Sequence, residues 1–415
     1  MLKDKYTIAI IGAGPAGCAA SILLSKKKIP HLIIDKAVFP RDKICGDALS
    51  GKVIQQLNRL DNTLGKSMEI DKDTFIGSWG VKFAAPNGKF IDIPFNPNAS
   101  SEDRPSGYIS KRFDFDHYLV KKLNPEYAEF IQDAELITAT YTEEGIELSV
   151  KCREIVHTIQ TNLVIASDGD RSVINKQLGT IKKEADHYSA GIRGYYEGVI
   201  GFHEKSFIEL HFMKEILPGY LWIFPLPNGL ANVGVGMLSS SVSKNKTDLK
   251  KAMLKAIEEN PTIKNRFSNA KLVGKIQGWG LPLGSKKRKL SGNNFILTGD
   301  AASLIDPFTG EGIGNAITSG VLAGEIAVLA FENNCYDAQF LAKYDEAVYK
   351  KLWEELKLSH TLLKLCKYPW LFNFVVNKAE KSKTLRDTIS CMFIDVELRA
   401  KFRDPLFYFK LLTNA

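Results

Sequence analysis

Apolar residues in this chain fall into two kinds of pattern. Short unbroken runs occur at Ile8-Ala9-Ile10-Ile11, Leu32-Ile33-Ile34, Leu163-Val164-Ile165-Ala166 and Phe295-Ile296-Leu297. Runs of this length without alternation predict strands buried on both faces, as in a parallel sheet. Period-two alternation fills much of the remainder. Residues 128–159 alternate, with Gly145 at a turn between residues 136–141 and 146–152, which predicts a β-meander. Residues 75–110 and 188–240 also read as strands. Helices are expected between the first two runs, from about residue 50 after a loop at 38–47, and over residues 113–123. Others are expected over residues 248–260, ended near Pro261, over 312–330, and almost continuously beyond Asp337. There is no internal repeat and no low-complexity segment.

The first two runs bracket Gly12-Ala13-Gly14-Pro15-Ala16-Gly17 and a helix, and the second run ends in Asp35. Strand, glycine turn, helix, strand and acid in this order hold a dinucleotide. Gly12 permits the tight turn, Gly14 lets the backbone approach a pyrophosphate, and Gly17 lets the helix pack close to the strand. The helix N-terminus turns free N–H groups and a positive dipole end toward the phosphates. Asp35 stands where a ribose hydroxyl would be held. Similar elements recur in mid-chain and again at residues 295–330, with β-rich sequence between them. The expected fold class is therefore α/β (mixed α+β), a Rossmann-like nucleotide-binding domain interleaved with a β-sheet substrate domain. The first takes residues 1–70, 104–178 and 279–330; the second takes 71–103 and 179–278; a C-terminal helical region takes 331–415.

Composition narrows this only a little. A chain of 415 residues, 45% hydrophobic and 25% charged, is an ordinary globular protein with room for more than one core. The net charge of +8 is modest and Lys286-Lys287-Arg288-Lys289 is short, so no nucleic-acid partner is expected. An acidic ligand or a membrane surface is compatible with that charge. Cys18, Cys45, Cys152, Cys335, Cys366 and Cys391 show no C-x-x-C spacing, so neither a metal site nor a redox dithiol is expected. Scattered cysteines suit a reducing cytoplasm. The lysine-led apolar N-terminus mimics a signal peptide, but its glycine turn and helix–strand continuation argue against cleavage. No run reaches the ~18 uninterrupted apolar residues of a spanning helix. The expected location is cytoplasmic, with peripheral contact to the inner face of the membrane as an open alternative.

Two further motifs follow buried runs. Ser167-Asp168-Gly169 closes the third run, and Gly169 allows a sharp turn where ligands of open α/β sheets bind. Thr298-Gly299-Asp300 closes the fourth, and Pro307, Gly310, Gly312 and Gly314 precede a helix. A carboxylate there can accept hydrogen bonds from hydroxyls, and the glycines leave backbone N–H groups free to face a flat anionic ring. Taken singly, the Asp-Gly turn is also a structural turn and Asp300 also a helix cap. In this order the three motifs resemble the flavoprotein monooxygenase superfamily, with the hydroxybenzoate-hydroxylase type of fold, over roughly residues 1–330.

That resemblance implies FAD. Gly12, Gly14, Pro15, Ala16, Gly17 and Asp35 would hold its ADP half; the family commonly has Glu where Asp35 stands, one methylene longer. Asp168 and Gly169 would lie near the pyrophosphate and Asp300 would hold the ribityl chain. Pro307, Gly310, Gly312 and Ile313 would touch the isoalloxazine, with Cys45 and Gly46 in a loop beside it. Lys36, Ala48 and Ala134 are counted with the cofactor site. Arg112 opens an Arg-x-x-x-Asp helix start and would face the phosphates or ribityl chain, or else cap a surface helix.

Two strings narrow the resemblance. Phe39-Pro40-Arg41-Asp42-Lys43-Ile44-Cys45-Gly46-Asp47 is similar to the Lys-x-Cys-Gly stretch of the geranylgeranyl reductase family. Pro218-Gly219-Tyr220-Leu221-Trp222-Ile223-Phe224-Pro225 is similar to its Tyr-x-Trp-x-Phe-Pro substrate motif. Period two puts Tyr220, Trp222 and Phe224 on one face of a strand, a flat wall for an apolar substrate or an ordinary core face. The implied enzyme is an FAD-dependent oxidoreductase that reduces C=C bonds of a prenyl or similarly apolar substrate. Its electrons would come from an external donor, NAD(P)H or ferredoxin. Cys45 and Tyr220 are the candidate catalytic residues, with Asp47 a third proton source; Cys45 is alternatively a structural thiol. An aromatic monooxygenase, a flavin-dependent halogenase and a non-catalytic flavin- or lipid-binding protein are the alternatives. The Trp-x-Trp-x-Ile-Pro string of tryptophan halogenases is absent from the sequence. Finally, residues 352–383 are amphipathic, with Leu352, Leu356, Leu362, Leu363 and Cys366 on one side. Lys357, Lys364, Lys367, Lys378, Lys381 and Lys383 supply charge, for a membrane surface or, as expected here, for the solvated side of a packed helix.

Overall fold

A computed structural model describes residues 2–96, 103–382 and 385–386. The four apolar runs stand side by side in one sheet. Phe295–Leu297, Ile155–Ala166, Lys5–Ile11, His31–Ile34 and Ala128–Ile131 are neighbours in that order, all parallel. Ile8, Ile10, Leu32, Ile33, Ile34, Val164 and Ile165 are fully buried. Each such side chain stabilises the fold by roughly 1.5–3 kcal/mol before the cost of ordering it. The expected meander is there: Ala134–Thr142 and Gly145–Cys152 run antiparallel beside the extended Ile155–Ala166 strand.

Two helices close one face. Pro15–Lys26 follows the glycine turn, and Ile313–Asn333 lies against it. A Cβ on Gly320 would come within 2.1 Å of the Ala16 carbonyl, so the two backbones touch. Ile313–Asn333 is long and apolar enough to cross a membrane, but 89% of its most apolar window is buried inside the protein. It is a core helix, and Ala338–Leu365 packs beside it with Tyr344, Leu352 and Leu356 in the same core.

A second sheet has the order Lys271–Pro282, Tyr188–Glu197, Leu230–Leu238, Gly219–Pro225, Ile208–His211, Gly80–Ala84 and Phe90–Pro94. It joins strands from two distant parts of the chain through the parallel pair Ile208–His211 and Gly80–Ala84. Helix Leu249–Glu259 covers one face, where Leu221, Ile223, Val233, Val235 and Met253 form a core. Ile76–Ser78, Gly107–Ile109 and Ala48–Leu49 form a third, small sheet.

The expected continuous C-terminal helix is interrupted. Ala338–Leu365 ends, and Pro369 opens a separate helix, Pro369–Lys381, at a first-turn position that needs no N–H. Leu352, Leu356, Leu363 and Cys366 are buried while Leu362 is half-buried, as a packed helix requires. Lys383 and Cys391 lie outside the described residues.

Candidate active site

A cavity of about 940 Å³ opens between the two large sheets, from Gly12, Gly14 and Asp35 to Pro218, Trp222 and Phe224. Gly12, Gly14, Pro15, Ala16, Asp35, Lys36, Cys45, Gly46, Ala48, Arg112 and Ala134 line it. So do Asp168, Gly169, Asp300, Pro307, Gly310, Gly312, Ile313, Tyr220, Trp222 and Phe224. Of the glycines singled out in the three motifs, Gly17 and Gly314 are not part of this lining. A Cβ on Gly17 would sit 1.9 Å from the Gly12 carbonyl, so its place is in the helix–strand packing.

The glycine turn and the Asp-Gly turn meet directly. Gly12 has a φ of +98°, and a Cβ there would lie 2.4 Å from the Ser167 carbonyl. Asp35 pins the turn: its Oδ2 accepts the Ala13 N–H at 2.8 Å and its Oδ1 the Ala37 N–H at 2.9 Å. Asp168 divides its carboxylate. Oδ2 accepts the Val173 N–H at 2.8 Å, whereas Oδ1 is buried and without a hydrogen-bond partner among the described residues. Gly312 caps Ile313–Asn333 beside Asp300 with no side-chain hydrogen bond of its own, but the glycines do not all leave their N–H groups free as expected: the Asp306 carbonyl accepts the Gly310 N–H at 3.0 Å and Glu311 Oε1 the Gly314 N–H at 2.6 Å. Burial raises the Asp300 pKa, against the pull of Lys43 and Arg112.

Arg112 is buried, at 7% exposure, so the surface-cap reading of it is incorrect. Its Nε and Nη2 donate to Asp116 at 2.6 and 2.7 Å. Arg41, which the sequence reading left unassigned, donates to the same carboxylate at 2.6 Å. Burial opposes the Asp116 charge, but the two guanidinium groups outweigh it and hold the pKa below the ordinary value. Arg41 also lies 4.0 Å from Asp35, so the two guanidinium groups bridge two carboxylates at the cavity wall.

The aromatic strand is tied to the Cys45-Gly46-Asp47 loop by Asn232. Trp222 Nε1 donates to Asn232 Oδ1 at 2.8 Å; Asn232 Nδ2 donates to the Cys45 carbonyl at 2.7 Å and to Asp47 Oδ2 at 2.8 Å. Asp47 also accepts the Tyr195 hydroxyl at 2.8 Å and the Arg112 N–H at 3.2 Å. Burial pushes its pKa from 3.8 up to about 6, against those hydrogen bonds. A Cβ on Gly46 would meet the Phe224 ring at 3.1 Å, so glycine is what lets the loop lie on the wall. The Trp222 ring in turn lies over the next strand, where a Cβ on Gly234 would fall 2.2 Å from it. Tyr220 donates its hydroxyl to the Thr309 carbonyl. Burial raises both the Tyr220 and Cys45 pKa values, so both groups keep their protons at neutral pH.

The FAD binding domain family matches residues 5–347. The chain belongs to this family of flavoproteins. A digeranylgeranylglycerophospholipid reductase from Methanococcus vannielii is 29% identical to it over 370 residues, which cover 88% of each chain. A menaquinone reductase from Mycobacterium tuberculosis is 29% identical over 336 residues, 78% of this chain and 77% of the relative. A geranylgeranyl bacteriochlorophyll reductase-like protein from Thermoplasma acidophilum has the same fold, with a TM-score of 0.81 at 22% identity across 97% of this chain and 99% of that one.

The protein is thus an FAD-dependent oxidoreductase, and its cavity fits that cofactor on its own geometry. Gly12 and Gly14 bring bare backbone to the cavity, and glycine at position 12 lets this turn pack directly on the Ser167 backbone. The Arg41 and Arg112 guanidinium groups and the helix start at Gly312, which carries no side chain, line the cavity where a pyrophosphate and an anionic ring would lie. One more feature of the flavoprotein was not read from the sequence. Lys52 pairs with Glu355 at 2.8 Å and donates to Asn315 Oδ1 at 2.9 Å, while Glu311 accepts the Gly314 N–H at 2.6 Å. These bonds fix the glycine turn at 310–314 to the C-terminal helix.

Proposed function

We propose that this flavoprotein reduces isolated C=C bonds in the isoprenoid chain of a lipid, with electrons from an external donor such as NAD(P)H or ferredoxin. The observation that carries the reading is the wall of Tyr220, Trp222 and Phe224 in the same cavity as the glycine turn at 310–314. An apolar chain laid on that wall lies against the ring-binding end of the cofactor cradle. The names of the relatives, which act on digeranylgeranylglycerophospholipid and menaquinone, support it.

In this reading Gly12, Gly14, Pro15, Ala16, Asp35 and Lys36 hold the ADP half, with Arg41 and Arg112 supplying charge. Asp168, Gly169 and Ala134 lie along the pyrophosphate. Asp300 takes ribityl hydroxyls, and Pro307, Gly310, Gly312 and Ile313 bound the ring, with Cys45, Gly46 and Ala48 facing it. Bound and reduced, FAD supplies a hydride to one alkene carbon. The chain's own task is to align the alkene, exclude water and deliver a proton to the other carbon.

Three groups compete to deliver that proton. Tyr220 gives its hydrogen bond to Thr309, and Asp47 accepts three hydrogen bonds and is largely ionised above about pH 6. Cys45 is protonated, lines the cavity and has its carbonyl clamped by Asn232. We therefore assign the proton to the Cys45 thiol and a positioning role to Asp47. Cys45→Ala should lower turnover about 100-fold or more with FAD retained. Unchanged turnover would remove Cys45 from the mechanism.

A further inference from the structure

The last described helix has two unlike faces. Phe372, Val376 and Ala379 turn inward; Phe372 stacks on Phe212 at 4.3 Å, and Val376 and Ala379 are buried. Asn373 Oδ1 accepts the Asn87 N–H at 3.1 Å and Glu380 pairs with Lys89 at 2.9 Å, so the helix is anchored to the second sheet. The opposite face leaves Trp370 65% exposed and Phe374 39% exposed. Just before it, at the break between the two C-terminal helices, Tyr368 is 53% exposed and Leu365 42%. Lys364, Lys367 and Lys381 are exposed around these side chains, and Lys378 lies one turn beyond Phe374. The acid of this stretch, Glu380, is already paired with Lys89.

Tryptophan, tyrosine and lysine mixed on an exposed apolar face form the pattern of a helix that rests in the headgroup region of a bilayer. The charge specifies an anionic surface. The inner face continues toward the cavity through stacked rings. Phe212, under Phe372, is 6.2 Å from Phe308 and 5.7 Å from Tyr220, and both of those line the cavity. We propose that residues 364–381 seat the enzyme on an anionic membrane. This docking surface does not depend on the isoprenoid reading above.

Vesicles test the docking without any turnover. The FAD-loaded full chain should co-sediment with phosphatidylcholine–phosphatidylglycerol vesicles, less with phosphatidylcholine alone, and less at high salt. Brominated acyl chains in the anionic vesicles should quench the protein's fluorescence, and Trp370→Phe should abolish most of that quenching. Lys367→Gln should weaken partitioning about 5-fold and leave the FAD content unchanged. Equal quenching of wild type and Trp370→Phe would overturn the proposal. So would a dimer in solution that Trp370→Glu dissociates while vesicles bind neither form, since a second copy would then cover the face. Failure to sediment with vesicles, with Trp370 shielded from a soluble quencher, would assign the face to residues 387–415 and equally overturn it. An enzyme that binds vesicles as described yet reduces no alkene would refute the reductase reading and leave the docking intact.

Discussion

Asp47 shows what burial does to a single residue here. The folded protein holds its proton up to about pH 6, whereas an unfolded chain releases it near 3.8. Between those values the folded state binds more protons, so stability falls as pH rises through the window and levels off above it. Denaturant titrations of wild type and Asp47→Asn should differ by an amount that changes by roughly 3 kcal/mol between about pH 4 and pH 7. A pH-independent difference would contradict the placement of this acid. Gly12 is constrained by backbone rather than charge. Gly12→Ala forces a Cβ against the Ser167 carbonyl at a φ of +98°, and should weaken FAD binding roughly 10–100-fold, read from visible absorbance after gel filtration. A yellow variant with wild-type affinity would contradict the cradle. Both glycine motifs and Asp168 were legible because their chemistry is local: a turn, an N-terminus and a strand end lie within a few residues of one another. The burial of Arg112 was harder to read, since it depends on Arg41 reaching the same acid from a distant loop.

At the scale of elements, the strand Gly219–Pro225 illustrates the division between local and long-range information. Period two alone placed Tyr220, Trp222 and Phe224 together. What it could not show is the register. Trp222 pairs with Gly234 and Phe224 with Asn232 across the antiparallel ladder, so glycine makes room for the indole and Asn232 reaches its N–H. Neither Gly234 nor Asn232 stands out in sequence, because their roles arise only when the strands are aligned. Asn232→Leu leaves the Trp222 N–H and the buried Asp47 short of partners and should cost roughly 2–4 kcal/mol in denaturant titration. Gly234→Val displaces the Trp222 ring and should raise KM for an apolar substrate with FAD still bound. An unchanged KM would show that the wall does not hold substrate. The break before Pro369 was missed, because the apolar periodicity beyond Asp337 reads as continuous helix, although the proline that opens Pro369–Lys381 is a local signal.

Over the whole molecule, the interleaving decides where chemistry can occur. Strands from residues 5–11, 155–166 and 295–297 bring three motifs to one sheet edge, and the second sheet closes the cavity with its aromatic wall. The alternating and unbroken apolar runs were enough to foresee the interleaved sheets, whereas the aromatic wall was expected only through the resemblance of the Tyr-x-Trp-x-Phe-Pro string. The packing of the C-terminal helix Ala338–Leu365 on the domain of the first sheet was expected from its amphipathic pattern; the buried Lys52–Glu355 ion pair beside it was not, because an ion pair leaves no apolar signal. Lys52→Met removes the cation from a buried ion pair with Glu355 and should lower stability by about 3–5 kcal/mol, with looser FAD binding as the turn at 310–314 relaxes.

The central claim is that one cavity holds FAD against an alkene. Its direct test is anaerobic: the chemically reduced, FAD-loaded protein is mixed with geranylgeranyl lipids, and flavin absorbance and product masses are followed together. The account predicts reoxidation without oxygen and products heavier by pairs of hydrogens. Reoxidation only on admitting oxygen, with an oxygen or halogen atom added to an aromatic compound, would contradict it.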